Sequence, residues 1–419
     1  MVKLKNVPAL RFPDFNGDWV EVVLNEFSDI KTGPFGSSLH QEDYVLEGTP
    51  IVTVEHLSDF GLVHSNLPRV TDKDKLRLKS YTLLENDIVF SRVGSVDRNS
   101  LIKETEAGWL FSGRLLRIRI INKELIDAAF LSNIFQSDYT KYRIRSVAVG
   151  QTMASLNTQI LKNFNVLVSP NIAEQQKIAA FLTAVDDKIQ QLSKKKALLE
   201  QFKKGVMQQI FSQQIRFKPD RPSDGDDQGN EYPEWEEKKL GDVVKFYKGS
   251  PLSKSDINPS GARLCIHYGE LFTTYKEVIN SINLRTNVSG FLSKAGDILM
   301  PTSDVTPIGL ATASAILVDN VVLGGDINVL RPIDIEPIFL SYVLNFEKKQ
   351  IIQLVSGTTV KHIYSKDLKG VQLVIPSNVQ EQTKIASFLS AIDDKINHVT
   401  RQIAHTRQYK KGLLQQMFV

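Results

Sequence analysis

The chain is one unit written twice, so it must fold as two copies of one plan rather than around a single core. Residues 174–189 read EQQKIAAFLTAVDDKI and residues 381–396 read EQTKIASFLSAIDDKI, identical at twelve of sixteen positions at a spacing of 207. The register continues through Lys203-Lys204-Gly205 with Lys410-Lys411-Gly412, Gln208-Gln209 with Gln415-Gln416, and Phe211 with Phe418. Upstream the match is looser. Trp19 and Leu24 answer to Trp235 and Leu240, Glu85–Ile88 to Ala295–Ile298, and Phe130-Leu131-Ser132 to Phe339-Leu340-Ser341, while the offset drifts from 216 to 207. Such drift comes from insertions in loops. Gene duplication with unequal drift would leave this pattern; we adopt the sharper reading, that the helical parts do the same job twice while the globular parts do related but different jobs.

Each near-identical block opens like a helix. Asn171 and Asn378 are good N-caps, and Glu174 and Glu381 lie three residues on, where a carboxylate can reach back to free backbone donors. Ile178, Val185, Leu192, Leu199 and Val206 recur every seven residues, with Phe181, Leu182, Ile189, Phe202 and Ile210 widening the stripe. In the second copy Ile385, Ile392, Val399 and Leu413 recur likewise, interrupted by Thr406 and flanked by Leu389, Ile396, Ile403 and Met417. A sustained seven-residue period predicts a coiled-coil seam. From Ile178 to Phe211 it would run roughly 50 Å, too long to bury its stripe in one small domain. The other copy supplies a partner, so the expectation is an antiparallel pair. The back halves are basic, with Lys188, Lys194, Lys195, Lys196, Lys203 and Lys204 in one and Lys395, Arg401, Arg407, Lys410 and Lys411 in the other. They fit a solvated face favoured at a helix C-terminus, or a surface near DNA or an acidic partner.

The segments 19–168 and 235–375 read as mixed. Residues 87–90, 115–120, 164–168, 297–300, 327–330 and 371–375 have the look of strands, and Ala128–Tyr142 and Ile338–Leu354 have helical spacing. Small polar turns beside cations punctuate both copies. They are Lys31-Thr32-Gly33 running on to Phe35 and Ser37, Arg92 to Ser95, and Gln151-Thr152 in the first. In the second they are Lys248 to Ser250, Thr302-Ser303, and Thr358-Thr359 with Lys361. Residues of this kind suit close approach to phosphates and base edges, although turns are often built from them. Their recurrence at matched places makes them the candidate DNA-binding residues. The stretch from Pro219 to Glu237 is acidic and Gly/Pro-punctuated, a linker.

Composition excludes several classes. One cysteine, Cys265, leaves no disulfide framework and no thiolate zinc site. No apolar run approaches the ~20 residues of a membrane span, which together with the N-terminal sequence sets the expectation of a cytoplasmic protein. A net charge of +4 argues little alone. There is no P-loop, dinucleotide fingerprint or methyltransferase Asp/Asn-Pro-Pro-Tyr/Phe motif, and the seven histidines lack metal-ligand spacing. Pro219-Asp220 with Glu236-Glu237-Lys238 loosely mimics a nuclease core, but it falls in the linker rather than on paired strands.

With these residues in place, the sequence resembles the specificity subunit of type I restriction–modification enzymes. The carriers are the blocks at Pro170–Ile189 and Pro376–Ile396, the Lys-Lys-Gly-x-x-Gln-Gln-x-Phe blocks at Lys203–Phe211 and Lys410–Phe418, and the lead-in from Leu10-Arg11-Phe12-Pro13 to Trp19-Val20-Glu21. The resemblance spans essentially the whole chain. The second lead-in departs from the pattern, because an acidic insert follows Arg216-Phe217-Lys218-Pro219. The resemblance implies an α+β chain in which two mixed α/β target-recognition domains in pseudo-twofold arrangement are joined by two long antiparallel coiled-coil helices. The expected boundaries are 1–170 for the first domain, 171–214 for its helix, 215–234 for the linker, 235–376 for the second domain and 377–419 for the last helix. It further implies that each domain reads half of a bipartite, asymmetric double-stranded DNA target and that the helices set the gap. Two modification subunits would dock at Glu174, Gln175, Asp186, Asp187, Glu381, Gln382, Asp393 and Asp394. Restriction subunits would join them. No cofactor is expected in this chain; S-adenosylmethionine, ATP and Mg2+ would reside in the partners. The alternatives are a coiled-coil adaptor of a DNA-modifying complex without base readout and a methyltransferase or nuclease in its own right, against which the missing motifs argue.

Overall fold

A computed structural model describes residues 6–34, 39–150, 153–220 and 231–419. It divides into two compact units, one of residues 1–195 with 399–419 and the other of residues 196–398.

In the first unit a four-stranded antiparallel sheet runs in the order Ser28–Thr32, Leu115–Ile120, Ile88–Ser91, Asn99–Leu101. Val20–Val23 pairs separately with Asn165–Val168, and a small sheet orders Arg69–Val70, Thr49–Val52, Leu110–Phe111. The second unit repeats the plan with one strand more, in the order Val244–Lys248, Ile327–Pro332, Ile298–Pro301, Ser314–Ile316, Val278–Ile279. There Trp235–Lys239 pairs with Gln372–Pro376. Glu236, Glu237 and Lys238 thus sit on a paired strand and not in a linker. Asp220 pairs instead with Lys384, and among the described residues no cluster of three potential metal ligands forms.

An equivalent ion pair braces each sheet. Asp87 and Asp297, each 1% exposed, are gripped by both guanidinium arms of Arg119 and Arg331 at 2.7–2.8 Å. Their second duty is to accept the backbone N–H of Leu84 and Lys294. A charge-assisted fork of this kind fixes geometry as well as energy. It explains why the Asp-Ile landmark survived in both copies.

The expected helix 128–142 is two helices, Ala128–Gln136 and Asp138–Val147, broken at Ser137. Ser137 leaves the helical conformation and its Oγ accepts from Thr140 N–H, so it caps the next helix better than it could continue the last. Pro337–Phe346 and Lys348–Gln353 divide the second copy at Glu347.

The long helices span Ile172–Phe211 and Val379–Met417, 40 and 39 residues, or about 60 Å each. Asn171 and Asn378 cap them through Oδ1, accepting from Ala173 and Gln380 N–H. Each helix is shared between the units. The first unit holds the front of the first helix with the back of the second, and the second unit holds the complementary halves. This exchange of front and back is the pattern of antiparallel helices. In the first unit Ile178 and Leu182 join Leu413, Leu414, Met417 and Phe418 in one core with Trp19 and Phe130. In the second, Ile385, Leu389 and Ile396 join Ile210 and Phe211 in a core with Phe339 and Tyr342. The stripe faces the cores, with Ile178, Leu182, Ile189, Leu192 and Ile210 buried and Phe181, Val185, Leu199 and Val206 half-buried, while one of its members faces solvent. Phe202, expected to widen it, is 52% exposed. It lies three residues from Leu199 on the shoulder of the stripe, where seam burial ends.

Candidate nucleic-acid interface

The sheet topology brings the matched polar turns together. In the first unit Thr32 lies opposite Leu116 and Ser91 opposite Leu115, so Lys31-Thr32-Gly33 and Arg92 leave the sheet at the same end. Gly33 N–H donates to Leu115 and Arg92 N–H to Arg114, while Leu156 N–H returns to the Arg92 carbonyl at 2.8 Å. A hairpin closed by Val149 and Ser155 completes the edge, and Gly94 N–H ties it down at Ala154. Lys31 donates to the Ser80 carbonyl and lies 4.5 Å from the Tyr81 ring centre, which fixes its stem. Arg92 donates to the Gly113 carbonyl, and Ser95 is exposed. Phe35, Ser37, Gln151 and Thr152 lie outside the described residues.

The second unit builds the same edge. Lys248 lies opposite Asn328, which also lies opposite Met300, so Lys248-Gly249-Ser250 and Thr302-Ser303 emerge side by side. Ile363 N–H donates to the Thr302 carbonyl at 3.0 Å, the counterpart of the Leu156 bond. Ser303 pairs with His362, and a hairpin closed by Ser356 and His362 presents Thr358 and Thr359 to solvent. Lys361 Nζ holds the Gly357 carbonyl at 2.6 Å across that hairpin. Ser250 Oγ is occupied by the N–H of Phe291, and Thr302 Oγ1 faces Asp326, so these two hydroxyls are less free than Thr358 and Thr359.

Two glycine positions make this edge possible in each copy. A Cβ on Gly33 would lie 2.1 Å from the Ser112 carbonyl oxygen, and one on Gly249 1.9 Å from that of Gly324. Gly150 and Gly357 have φ of +109° and +104°, and a Cβ there would meet the carbonyl oxygens of Met153 and Val360 at 2.4 and 2.2 Å. A side chain at any of the four would push the backbone out of the turn. The candidate residues are therefore displayed by a rigid frame, which suits a face that must hold register on a duplex. Sequence reasoning missed Arg114, exposed at the same edge, because it follows no matched turn.

The eight residues expected to dock partners divide sharply. Glu174, Gln175, Glu381 and Gln382 are at most 2% exposed. Glu174 does not reach back to the helix start as a capping box would. It is clamped by Arg11 Nε and Nη2 at 2.6 and 2.8 Å and accepts from Ser169 Oγ. Glu381 is clamped by Arg216 and accepts from Trp235 Nε1 at 3.2 Å. Gln175 bridges Asp127 N–H to the Leu125 and Ser169 carbonyls, and Gln382 bridges Glu336 N–H to the Pro376 carbonyl. These four side chains fasten the globular part of each unit to its helix and are not available to a partner.

Asp186 and Asp393 face inward as well. Lys410 Nζ sits 2.7 Å from Asp186 and 2.7 Å from Gln136 Oε1, with side chains 6% and 17% exposed for the ion pair. Lys203 Nζ sits 2.7 Å from Asp393 and from Glu277. Burial holds both aspartates above the usual carboxylate range despite the lysines; burial pushes Glu277 the same way, but the charge and hydrogen bond of Lys203, with smaller contributions from its own backbone and Lys276, bring it below that range. Only Asp187 and Asp394 remain exposed. The arginines and lysines of these clamps carried a signal, since Leu10-Arg11-Phe12 and Ile215-Arg216-Phe217 are one motif, as are the two Lys-Lys-Gly blocks.

Comparison with known proteins falls on the same halves. The family model described as the type I restriction modification DNA specificity domain matches residues 16–201 and 232–405. A chain of Methanocaldococcus jannaschii named as the MjaX type I restriction enzyme specificity subunit is 27% identical over 382 residues, covering 88% of this chain and 85% of its own length. The MjaIX specificity subunit of the same organism is 24% identical over 309 residues, 70% of this chain and 69% of its own. The crystal structure of a type I restriction-modification S subunit from M. genitalium shares the fold with a TM-score of 0.65 over 99% of both chains at 16% identity.

Proposed function

This chain belongs to the type I restriction–modification DNA specificity family, and we propose that each of its units reads one half of a split, asymmetric double-stranded DNA target. It is a specificity subunit, as its relatives are named, and in this reading the catalysis belongs to its partners. The observation that carries the proposal is the recurrence, at the same sheet end of both units, of hydroxyls and cations on a glycine-dependent frame. Lys31, Arg92, Lys248 and Lys361 would hold phosphates, and Gln151, Thr152, Thr358 and Thr359 would meet base edges in the major groove. Thr32, Gly33, Ser95, Ser250, Thr302 and Ser303 would line the approach, and Phe35 and Ser37 are proposed as further DNA contacts from the sequence alone. Gln151-Thr152 and Thr358-Thr359 differ in sequence, which supports two different half-sites.

The long helices, in this reading, set the gap between half-sites and dock two modification subunits, with restriction subunits joining the assembly. The surface that supports docking is the outward face of the helices. Phe202 and Tyr409 occupy one position of the repeat, 52% and 55% exposed, and Asp187 and Asp394 occupy another. Two equivalent aromatic anchors on one chain suit two copies of one partner. S-adenosylmethionine would be held by the modification subunits, and ATP and Mg2+ by the restriction subunits.

Sequencing of methylated bases in a cell carrying the chain with its modification subunit tests the reading. A bipartite motif with a fixed gap is expected. Exchange of residues 19–168 should change one half-site only. Removal of one heptad from both helices should shorten the gap and keep the bases. A changed half-site in the heptad variant, or a single uninterrupted motif, overturns the division of labour.

A further inference from the structure

The two units differ where they join equivalent strands. The first unit links Ile88–Ser91 to Asn99–Leu101 through residues 92–98, and the second links Ile298–Pro301 to Ser314–Ile316 through the longer residues 302–313. The longer link leaves two aliphatic side chains in solvent, Val305 at 71% and Ile308 at 64% exposed. Burial is the ordinary fate of such residues, and single exposed ones mean little. These two are held out by construction. Asp304 Oδ1 accepts the Val305 N–H at 2.7 Å and Oδ2 accepts the Thr306 hydroxyl at 2.6 Å. Ser303 and Asp304 are paired with His362 and Lys361. Pro307 begins a short turn of helix whose Leu310 is fully buried, pinning the far end.

The surroundings identify the occupant. In the strand register Asp304 faces Lys361, and the next residues outward are Val305 and Val360, the latter 46% exposed. Beyond Val360 come the exposed hydroxyls of Thr358 and Thr359. A few aliphatic groups set among hydroxyls and a lysine fall far short of the ~800 Å² that each partner gives to a stable protein interface. They match the major-groove edge of a base pair, where the thymine 5-methyl is the apolar group among hydrogen-bonding ones. In the matching link of the first unit Val96 is 1% exposed and Val93 half-buried, although Met153, at the place matched to Val360, is 61% exposed.

We propose that Val305 and Ile308 are specificity-determining residues of the second unit, contacting a thymine 5-methyl group in the half-site that unit reads. This rests on the DNA-reading role proposed above and adds to it a chemical assignment for one half-site only.

The test uses the chain assembled with its modification subunits, on a duplex carrying the motif found by methylated-base sequencing. Replacing each thymine of the second half-site by deoxyuridine removes one methyl at a time. At one position or two, binding should weaken about fourfold per methyl, the factor that about 0.8 kcal/mol per buried CH2-sized group implies. The variant V305S/I308S should lose that response and methylate sites with other bases at that position, with the first half-site unchanged. Both side chains are exposed, so the variant folds, and Val305→Thr, which keeps a methyl, should retain part of the response. Three results overturn the proposal: no deoxyuridine response in the unaltered complex, the same response in V305S/I308S, or bright fluorescence from a 2-aminopurine placed beside the responding thymine and away from the adenine that is methylated and flipped out, which marks an unstacking wedge instead of a methyl contact. Exchange of residues 235–376 keeps the two ideas apart. If it changes one half-site while V305S/I308S does not, the methyl contact fails and the reading role stands.

Discussion

Replacing Lys410 by Met should destabilise the first unit from a place remote from most of it in sequence. Lys410 is 215 or more residues from every other part of that unit before Lys195, yet its ammonium lies 2.7 Å from the Asp186 carboxylate and from Gln136 Oε1. Methionine fills the space but leaves Asp186 buried without its cation, a change that costs about 3–5 kcal/mol. For a unit of residues 1–195 with 399–419, each kcal/mol moves Tm by about 2–4 °C, so the transition should fall by about 6–20 °C. The double variant Lys410→Met, Asp186→Leu should recover most of this, because a well-packed apolar pair often replaces a buried ion pair without loss. The pH dependence has a definite sign. Burial already raises the Asp186 carboxyl above its ordinary value, and removing Lys410 raises it further. An acid with a folded pKa above its unfolded one costs stability when ionised, and that cost fades as pH falls through the raised pKa. The Lys410→Met defect should therefore shrink in mild acid. Calorimetry of the full chain at pH 7.5 and 5 measures both effects. A variant whose melt matches the parent within about 0.5 kcal/mol, or whose defect grows in acid, refutes the role given to this pair.

Further outcomes follow from the same geometry. Gly357→Ala, at φ of +104° with Val360 O 2.2 Å from the new Cβ, should disorder the second hairpin tip and reduce methylation tenfold or so without altering the first half-site, since the strain is of order 1–3 kcal/mol. Lys361→Ala should weaken DNA binding on all sequences alike and lower the slope of log K against log salt by about one, whereas a change of motif would remove Lys361 from the phosphate-holding set. His267 is kept below the ordinary histidine range by burial first and Lys254 second, with Asp326 opposing; its Nδ1 accepts the Gly269 N–H. A base whose folded pKa is depressed supports stability above its unfolded pKa of about 6.5 and loses that support as pH falls below it. The second unit should therefore melt earlier at pH 5.5 than at 7.5, and His267→Asn should flatten the difference.

The architecture was legible because its signals are periodic. The seven-residue stripe, the Asn caps and the repeated strand runs all formed where local chemistry placed them. Local chemistry erred where a long-range partner took precedence. Glu174 sits in a capping-box position, but Arg11 lies close enough to bind it with two N–H groups, stronger than a backbone contact. From sequence, the aspartates at 186 and 393 are expected to meet a partner, and only the lysines arriving from the other helix turn them inward. Ala128–Tyr142 has continuous helical spacing, and a single serine that prefers to cap breaks it. At the candidate interface the turns were visible from composition, but their convergence depended on strand register, which pairing alone determines.

That contrast accounts for the uneven drift of the two copies. In the helical blocks nearly every landmark touches two elements at once. Glu174 meets the lead-in segment, Gln175 the loop at Leu125–Asp127, Asp186 the opposite helix, and Glu381, Gln382 and Asp393 repeat those contacts. A substitution at any of them leaves a buried donor, acceptor or charge unmatched, and so needs a compensating change at a distance. At the sheet edge the constraints are different. The glycines and the strand ends are fixed by close approach, but the side chains of Ser95, Thr358, Thr359, Val305 and Ile308 are exposed. They can change, and the connection between strands can lengthen from residues 92–98 to residues 302–313, without disturbing the core. A chain built this way can alter which bases one unit meets while the helices, and whatever binds their repeated outer face, stay as they are.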